Sequence, residues 1–172
     1  GVDRLDTKAL RVGPDSVVML FFGGYGIQVG RESYMIPVDA KIWRERDVRR
    51  QGVSIEHVLD VMKEQGARTK MVVIDASRRN PYERRFRAYS HGLAPINAPD
   101  NALILSSASP GKVVHDSKGA DSVLVAELLN RLNSQSIGVE TAFNETRLAI
   151  SRATNGAQVP SVSSSLLEDV RF

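Results

Sequence analysis

The sequence predicts a three-layer α/β domain built on a mostly parallel sheet, and three observations carry that expectation. Residues 16–22 (Ser-Val-Val-Met-Leu-Phe-Phe), residues 70–75 and residues 102–106 are short, continuous apolar runs. That is the pattern of strands buried on both faces. Segments with helical apolar spacing lie between or after them, and helix followed by strand at this distance forms αβ units that favour parallel pairing. A length of 172 residues with 42% hydrophobic content suits one domain, 1–172, with enough core to fold.

Taken in order, residues 1–15 are polar and close on the turn signal Gly13-Pro14-Asp15. The first apolar run breaks at Gly23-Gly24-Tyr25-Gly26. Tyr34-Met35-Ile36-Pro37-Val38 is a shorter extended piece that Pro37 confines to an edge or a strand end. Residues 41–50 mix charges and read as a solvated surface segment. Ser54 then caps a helix with Ile55, Val58, Leu59 and Met62 on one face, stopped by Gly66. Residues 76–101 show no periodicity and carry Pro81, Pro95 and Pro99, the signature of a long functional or mobile loop. Residues 123–132 form a helix capped by Ser122, with Leu124, Leu128, Leu129 and Leu132 aligned. Residues 139–154 form another, carrying Ala142, Phe143 and Ile150 and ending near Gly156. The tail is Ser-rich and closes on Val170-Arg171-Phe172, a candidate last strand. Three long strands make a thin sheet for two helical layers, so the fold reads as incomplete.

Bulk properties exclude several function classes. No cysteine is present, which removes disulfides, thiolate metal sites and a cysteine nucleophile together. No run reaches membrane-spanning length and no signal-peptide pattern is visible, so the chain reads as soluble. A net charge of +3 is compatible with nucleic-acid binding without arguing for it. Arginines 78, 79, 84, 85 and 87 form one basic run, and Lys41, Arg44, Arg46, Arg49 and Arg50 another. Interleaved Glu45, Asp47 and Glu83 favour a solvated face over a phosphate-binding patch. Metal binding has no support from ligand spacing, and no acidic cluster matches a calcium loop.

The candidate chemistry sits where residues 71–75 run into Asp75-Ala76-Ser77 and then a basic turn. A carboxylate and a hydroxyl at the end of a central strand occupy the place where ligands gather in open α/β sheets. Ser77 has the position of a nucleophile, but its flanks are Ala76 and Arg78 rather than the glycines of a serine-hydrolase elbow. A hydroxyl also needs a base. His91 and His115 stand in loops without an orienting motif, and His57 lies on a helix. Gly24, Gly26 and Gly30 invite a dinucleotide reading, yet extended residues rather than a helix start follow them.

Two segments together are specific enough to name a family. Phe21-Phe22-Gly23-Gly24-Tyr25-Gly26, followed by Ile36-Pro37-Val38-Asp39-Ala40, resembles the catalytic-histidine segment of bacterial caspase-like peptidases, the orthocaspases and metacaspase relatives. Asp75-Ala76-Ser77-Arg78-Arg79-Asn80-Pro81 resembles their catalytic-cysteine segment. Gly92-Leu93-Ala94-Pro95, Ser109-Pro110-Gly111 and Gln158-Val159-Pro160 are similar to the family too, so the resemblance spans nearly the whole chain. It implies a caspase-like αβα fold, no cofactor, and a bacterial protein of cytoplasm or periplasm.

The departures define the functional expectation. Tyr25 stands at the histidine position and Ser77 at the cysteine position. A serine hydroxyl ionises far less readily than a thiol, and tyrosine, titrating at about 10, is a poor base at neutral pH. Losing both implies a pseudopeptidase that binds a peptide or protein, or regulates an active relative. The alternatives are an endopeptidase cleaving after Arg or Lys with Ser77 as nucleophile, and a scaffold domain of a larger protein. Asp75 matches a family position lining a pocket for a basic residue, and Asp39 is a second candidate for that pocket. Asp75 reads equally as a partner of nearby arginines. The family also begins with a strand, a helix and a strand ahead of residues 16–22. Those strands are expected to come from another segment or chain, with a homo- or hetero-oligomer as one form that takes. Neither nucleic acid nor membrane is an expected partner.

Overall fold

The computed structural model describes residues 13–75, 93–109, 122–133 and 137–171. In chain order the elements are β1 (Val17–Gly23), β2 (Tyr25–Val29), β3 (Glu32–Ile36), α1 (Glu45–Gln51), β4 (Val53–Ser54), α2 (Ile55–Glu64) and β5 (Thr69–Asp75). They continue through β6 (Ala102–Ser106), α3 (Val123–Leu132), α4 (Val139–Ala153) and β7 (Ser161–Ser164). The main sheet has the order β1-β5-β6-β7, parallel from β1 to β6, with β7 antiparallel on β6. A second, antiparallel sheet is β2-β3-β4. No helix among the described residues is long and apolar enough to cross a membrane.

The three layers follow from side-chain alternation along the central strands. Val72, Ile74 and Ile104 point to one face, where Ile55, Val58, Leu59 and Met62 of α2 cover them. Met71, Val73, Leu103 and Leu105 point to the other, under α3 and α4. All residues of β5 and β6 are buried, as continuous apolar runs require. Phe143 is fully buried in the second core, and a phenyl ring at such a place contributes about 2–3 kcal/mol of transfer free energy. The helix starts follow capping chemistry. The Ser54 hydroxyl accepts from the His57 N–H at 3.2 Å, and that of Ser122 from the Leu124 N–H at 3.2 Å. Gly66 ends the α2 turn at a φ of 83°, in the left-handed region that glycine tolerates.

Four expectations need correction. β1 is buried on one face only. Val18, Leu20 and Phe22 pack on the α2 core, whereas Val17, Met19 and Phe21 remain exposed, because among the described residues nothing pairs the outer edge of β1 or covers that face. Residues 41–50 are not simply a solvated segment, since α1 forms there and turns Val48 into a third core with Ile27, Val29, Tyr34, Ile36 and Ile42. Leu129 of α3 is exposed although it shares the helical spacing of Leu124 and Leu128. Among the described residues the last strand is the Ser-rich β7; Val170 and Arg171 lie in no strand, and Phe172 is outside the described residues. Serine suits this place because its hydroxyls bond backbone. Ser163 Oγ accepts from the Ala98 N–H at 3.3 Å, and Ser165 Oγ just beyond accepts from the Ala102 N–H at 3.0 Å.

Lys70 supplies a test of the buried sheet. It lies at the amino end of β5, buried, and its ammonium donates to the Ala67 carbonyl at 3.2 Å. Desolvation, and then the charge of Lys63, hold it below the usual lysine range, with Asp100 opposing. Between the folded and unfolded values the unfolded chain binds more protons, so stability rises with pH through that window, which ends at about 10.4. Lys70→Met is expected to stabilise the domain by about 1 kcal/mol near neutral pH and to flatten that alkaline gain. Denaturant titrations of both proteins across the alkaline range check it.

Candidate functional site

Because β1, β5 and β6 are parallel, their carboxyl ends form one rim. Gly23 is in register with Asp75, and Ile74 with Ser106. The ladder runs on past the strand ends on both sides of Asp75. The Gly24 N–H donates to the Asp75 carbonyl at 3.1 Å, and the Ser107 N–H to the Ile74 carbonyl at 2.8 Å. Gly24 then turns the chain into β2, and Tyr25 stands at the start of that strand, 40% exposed. A Cβ at residue 24 would meet the Phe22 ring at 3.0 Å, so the turn is tight enough to favour glycine.

Asp75 ends β5. Alternation from Met71 and Val73 sends its side chain to the α3/α4 side of the sheet. It is only 8% exposed, and its carboxylate makes no hydrogen bond or ion pair among the described residues. Among the described residues no buried side-chain oxygen lacks a hydrogen-bond partner, so the unpaired Asp75 carboxylate reaches the surface of the rim, where a cation or a set of N–H donors can meet it. The rim thus carries the Asp75 carboxylate, and Tyr25, 40% exposed, follows the residue that bonds the Asp75 backbone. Asp39 does not join it as a partner. It lies in the exposed turn after β3, with no hydrogen bond or ion pair linking it to Asp75 among the described residues. Ser77, His91 and His115 lie outside the described residues, and His57 is exposed on α2.

A family model for the caspase domain matches residues 4–171. The chain belongs to the caspase-domain family. Among solved structures it is similar to the crystal structure of drICE, with 15% identity and a TM-score of 0.46 over 91% of this chain. The match covers 64% of the drICE chain, so this caspase domain spans less than two thirds of that relative. No curated protein matches it.

The rim of this caspase domain rests on residues that sequence reasoning did not single out as supports. Ser107, whose N–H bonds the Ile74 carbonyl, is fully buried, and its own carbonyl accepts from Gln158 Nε2 at 3.0 Å. The Gln158 N–H in turn donates to Thr154 Oγ1 at 3.0 Å, so the end of α4 is tied to the turn after β6. Ser109 Oγ donates to the Val159 carbonyl at 2.9 Å and Ser161 Oγ to that of Ala108 at 3.3 Å. The signal was present in Gln158-Val159-Pro160 and Ser109, but only the fold brings them together. Ser33 is a second hub. Its N–H donates to the Glu56 carboxylate at 3.3 Å and its hydroxyl accepts from the Ala94 N–H at 3.0 Å, joining the small sheet to α2 and to segment 93–98. Among the described residues no three metal-ligating side chains cluster.

Asp75 is nearly buried and carries no ion pair among the described residues, so its charge adds nothing to stability there. Asp75→Asn keeps the shape and removes the charge, and is expected to raise stability by about 1 kcal/mol. A paired thermal-denaturation series at neutral pH checks this, and a lower melting temperature in the variant contradicts an unpartnered Asp75.

Proposed function

We propose that this caspase domain has lost peptidase chemistry and works as a binding module, holding a basic residue of a peptide or protein partner on Asp75. An active relative is one partner it would regulate. The observation that carries the reading is Asp75, a nearly buried residue at the carboxyl end of the central strand whose carboxylate has no hydrogen bond or ion pair among the described residues and so faces the rim surface. An arginine or lysine side chain would supply the missing charge, and a guanidinium would do so with two parallel hydrogen bonds. The resemblance to bacterial orthocaspases and metacaspase relatives puts Tyr25 and Ser77 at the two catalytic positions. Neither residue type supplies a thiolate or a base working near neutral pH.

Arginine- and lysine-containing peptide reporters test it. The unmodified protein is expected to bind them without turnover, and Ser77→Cys with Tyr25→His to gain cleavage. Turnover by the unmodified protein that Ser77→Ala abolishes would establish a serine endopeptidase instead. No affinity for basic peptides, and no effect of Asp75→Asn, would favour a scaffold role.

The bare side of β1 supports a second proposal, about partners. Val17, Met19 and Phe21 are 43%, 43% and 51% exposed beside an edge that no described strand pairs. An uncharged, unpaired edge of this kind is a template for another strand. We propose that a strand, a helix and a strand supplied by a further segment or another chain cover it. Sedimentation of the 172-residue chain alone is expected to show self-association that Met19→Lys with Phe21→Lys suppresses. A monodisperse, cooperatively melting monomer would refute the proposal.

A further inference from the structure

The small sheet carries an outer surface that the Asp75 site does not use. After β3 the chain passes through an exposed loop in which Val38 is 90% and Trp43 65% exposed, and then enters α1. Val48 is the residue that α1 buries. At about 100° per residue, positions 46 and 50 lie roughly 200° away from it, on the outward stripe and one turn apart. Arg46 and Arg50 are both exposed there, and neither guanidinium makes a hydrogen bond or ion pair among the described residues. Like charges four residues apart weaken a helix unless something outside it compensates.

The neighbouring carboxylates are largely committed elsewhere. Glu45 and Glu32 are both held by Arg49 at 3.6 Å. Asp47 accepts from the Trp43 and Arg44 N–H groups at 3.1 and 2.9 Å. These hydrogen bonds lower its pKa first, with the charges of Arg50 and Arg46 adding to them. Asp39 remains on the loop, and Lys41 and Arg44 add two further exposed cations. An exposed indole and an exposed valine thus share residues 38–50 with four exposed cations.

We propose that this surface docks an acidic segment of a protein partner that carries an apolar anchor. Tryptophan and arginine are the side chains that most often dominate interface energetics, and guanidinium groups pair with carboxylates in a defined geometry. The interleaved Asp39, Glu45 and Asp47 count against a continuous phosphate backbone, which would pass over them. The patch is independent of Asp75, whose charge selects the opposite kind of residue.

Trp43 is the only tryptophan in the chain, so its fluorescence reports on the surface directly. The probe is the peptide acetyl-Glu-Glu-Leu-Glu-Glu-amide, compared with its Gln-for-Glu analogue, an oligothymidylate and phosphatidylserine vesicles. A saturable change in Trp43 emission with the Glu peptide is expected, weakened by added salt and about tenfold weaker in Arg46→Gln with Arg50→Gln. Arg46→Glu with Arg50→Glu is expected to exchange the preference for the corresponding Lys peptide, which separates docking from a loss of fold. The proposal is overturned if the Glu peptide gives no saturable change or if its Gln analogue binds as well. It is equally overturned if the double variants bind unchanged, or if the oligonucleotide or vesicles bind more tightly.

Discussion

The parallel ladder through β5 is the constraint on which the rest of the fold depends. β5 pairs β1 along its whole length on one side and β6 from Lys70 to Ile74 on the other, and every one of its residues is buried. Two cores exist because its side chains alternate between α2 and the α3/α4 pair. The same alternation decides where Asp75 goes. Once Met71 and Val73 are fixed on the α3/α4 side, the carboxylate two residues later has no freedom to choose the other face. Backbone bonds from Gly24 and Ser107 then hold the strand tip from both flanks, so the acid is carried on rigid elements rather than on a loop.

Asp75 interrupts the apolar pattern at this tip. A leucine in place of Asp75 would extend the second core, and the strand pattern before it asks for one. A charge stands there instead, next in sequence to Ile74, whose carbonyl takes the N–H of the fully buried Ser107. The supporting shell spends several hydrogen bonds on fixing the backbone around Asp75 and none, among the described residues, on its carboxylate. That division is what the proposed ligand-holding role requires. Lys70, buried at the other end of the same strand, differs in this respect, because its ammonium has the Ala67 carbonyl.

Much of the architecture was legible in the sequence, because periodicity and caps are local. Residues 123–132 and 102–106 match α3 and β6, and Ser54 and Ser122 cap the helices that they precede. What escaped depends on neighbours. The run at β1 reads as doubly buried, yet Phe21 is exposed because burial of a strand face is decided by what lies across it. Val48 is one apolar residue among charges, and only the third core reveals that α1 buries it. The serines of β7 have low strand propensity, and their pairing with β6 comes from tertiary context. At the site, Asp75 was legible as the end of a strand. That no described residue pairs its carboxylate was not, because Arg78 and Arg79 follow so closely in sequence, and the Gln158–Ser107 support joins residues 51 positions apart.

The central claim is that Asp75 is a vacant acceptor for a basic side chain. Isothermal titration of the protein with a short arginine peptide, run in parallel with its citrulline analogue and with the Asp75→Asn variant, tests it most directly. Saturable one-to-one binding of the arginine peptide, lost both with citrulline and in the variant, is the predicted result. Equal heats for the two peptides, or undiminished binding by Asp75→Asn, would contradict it.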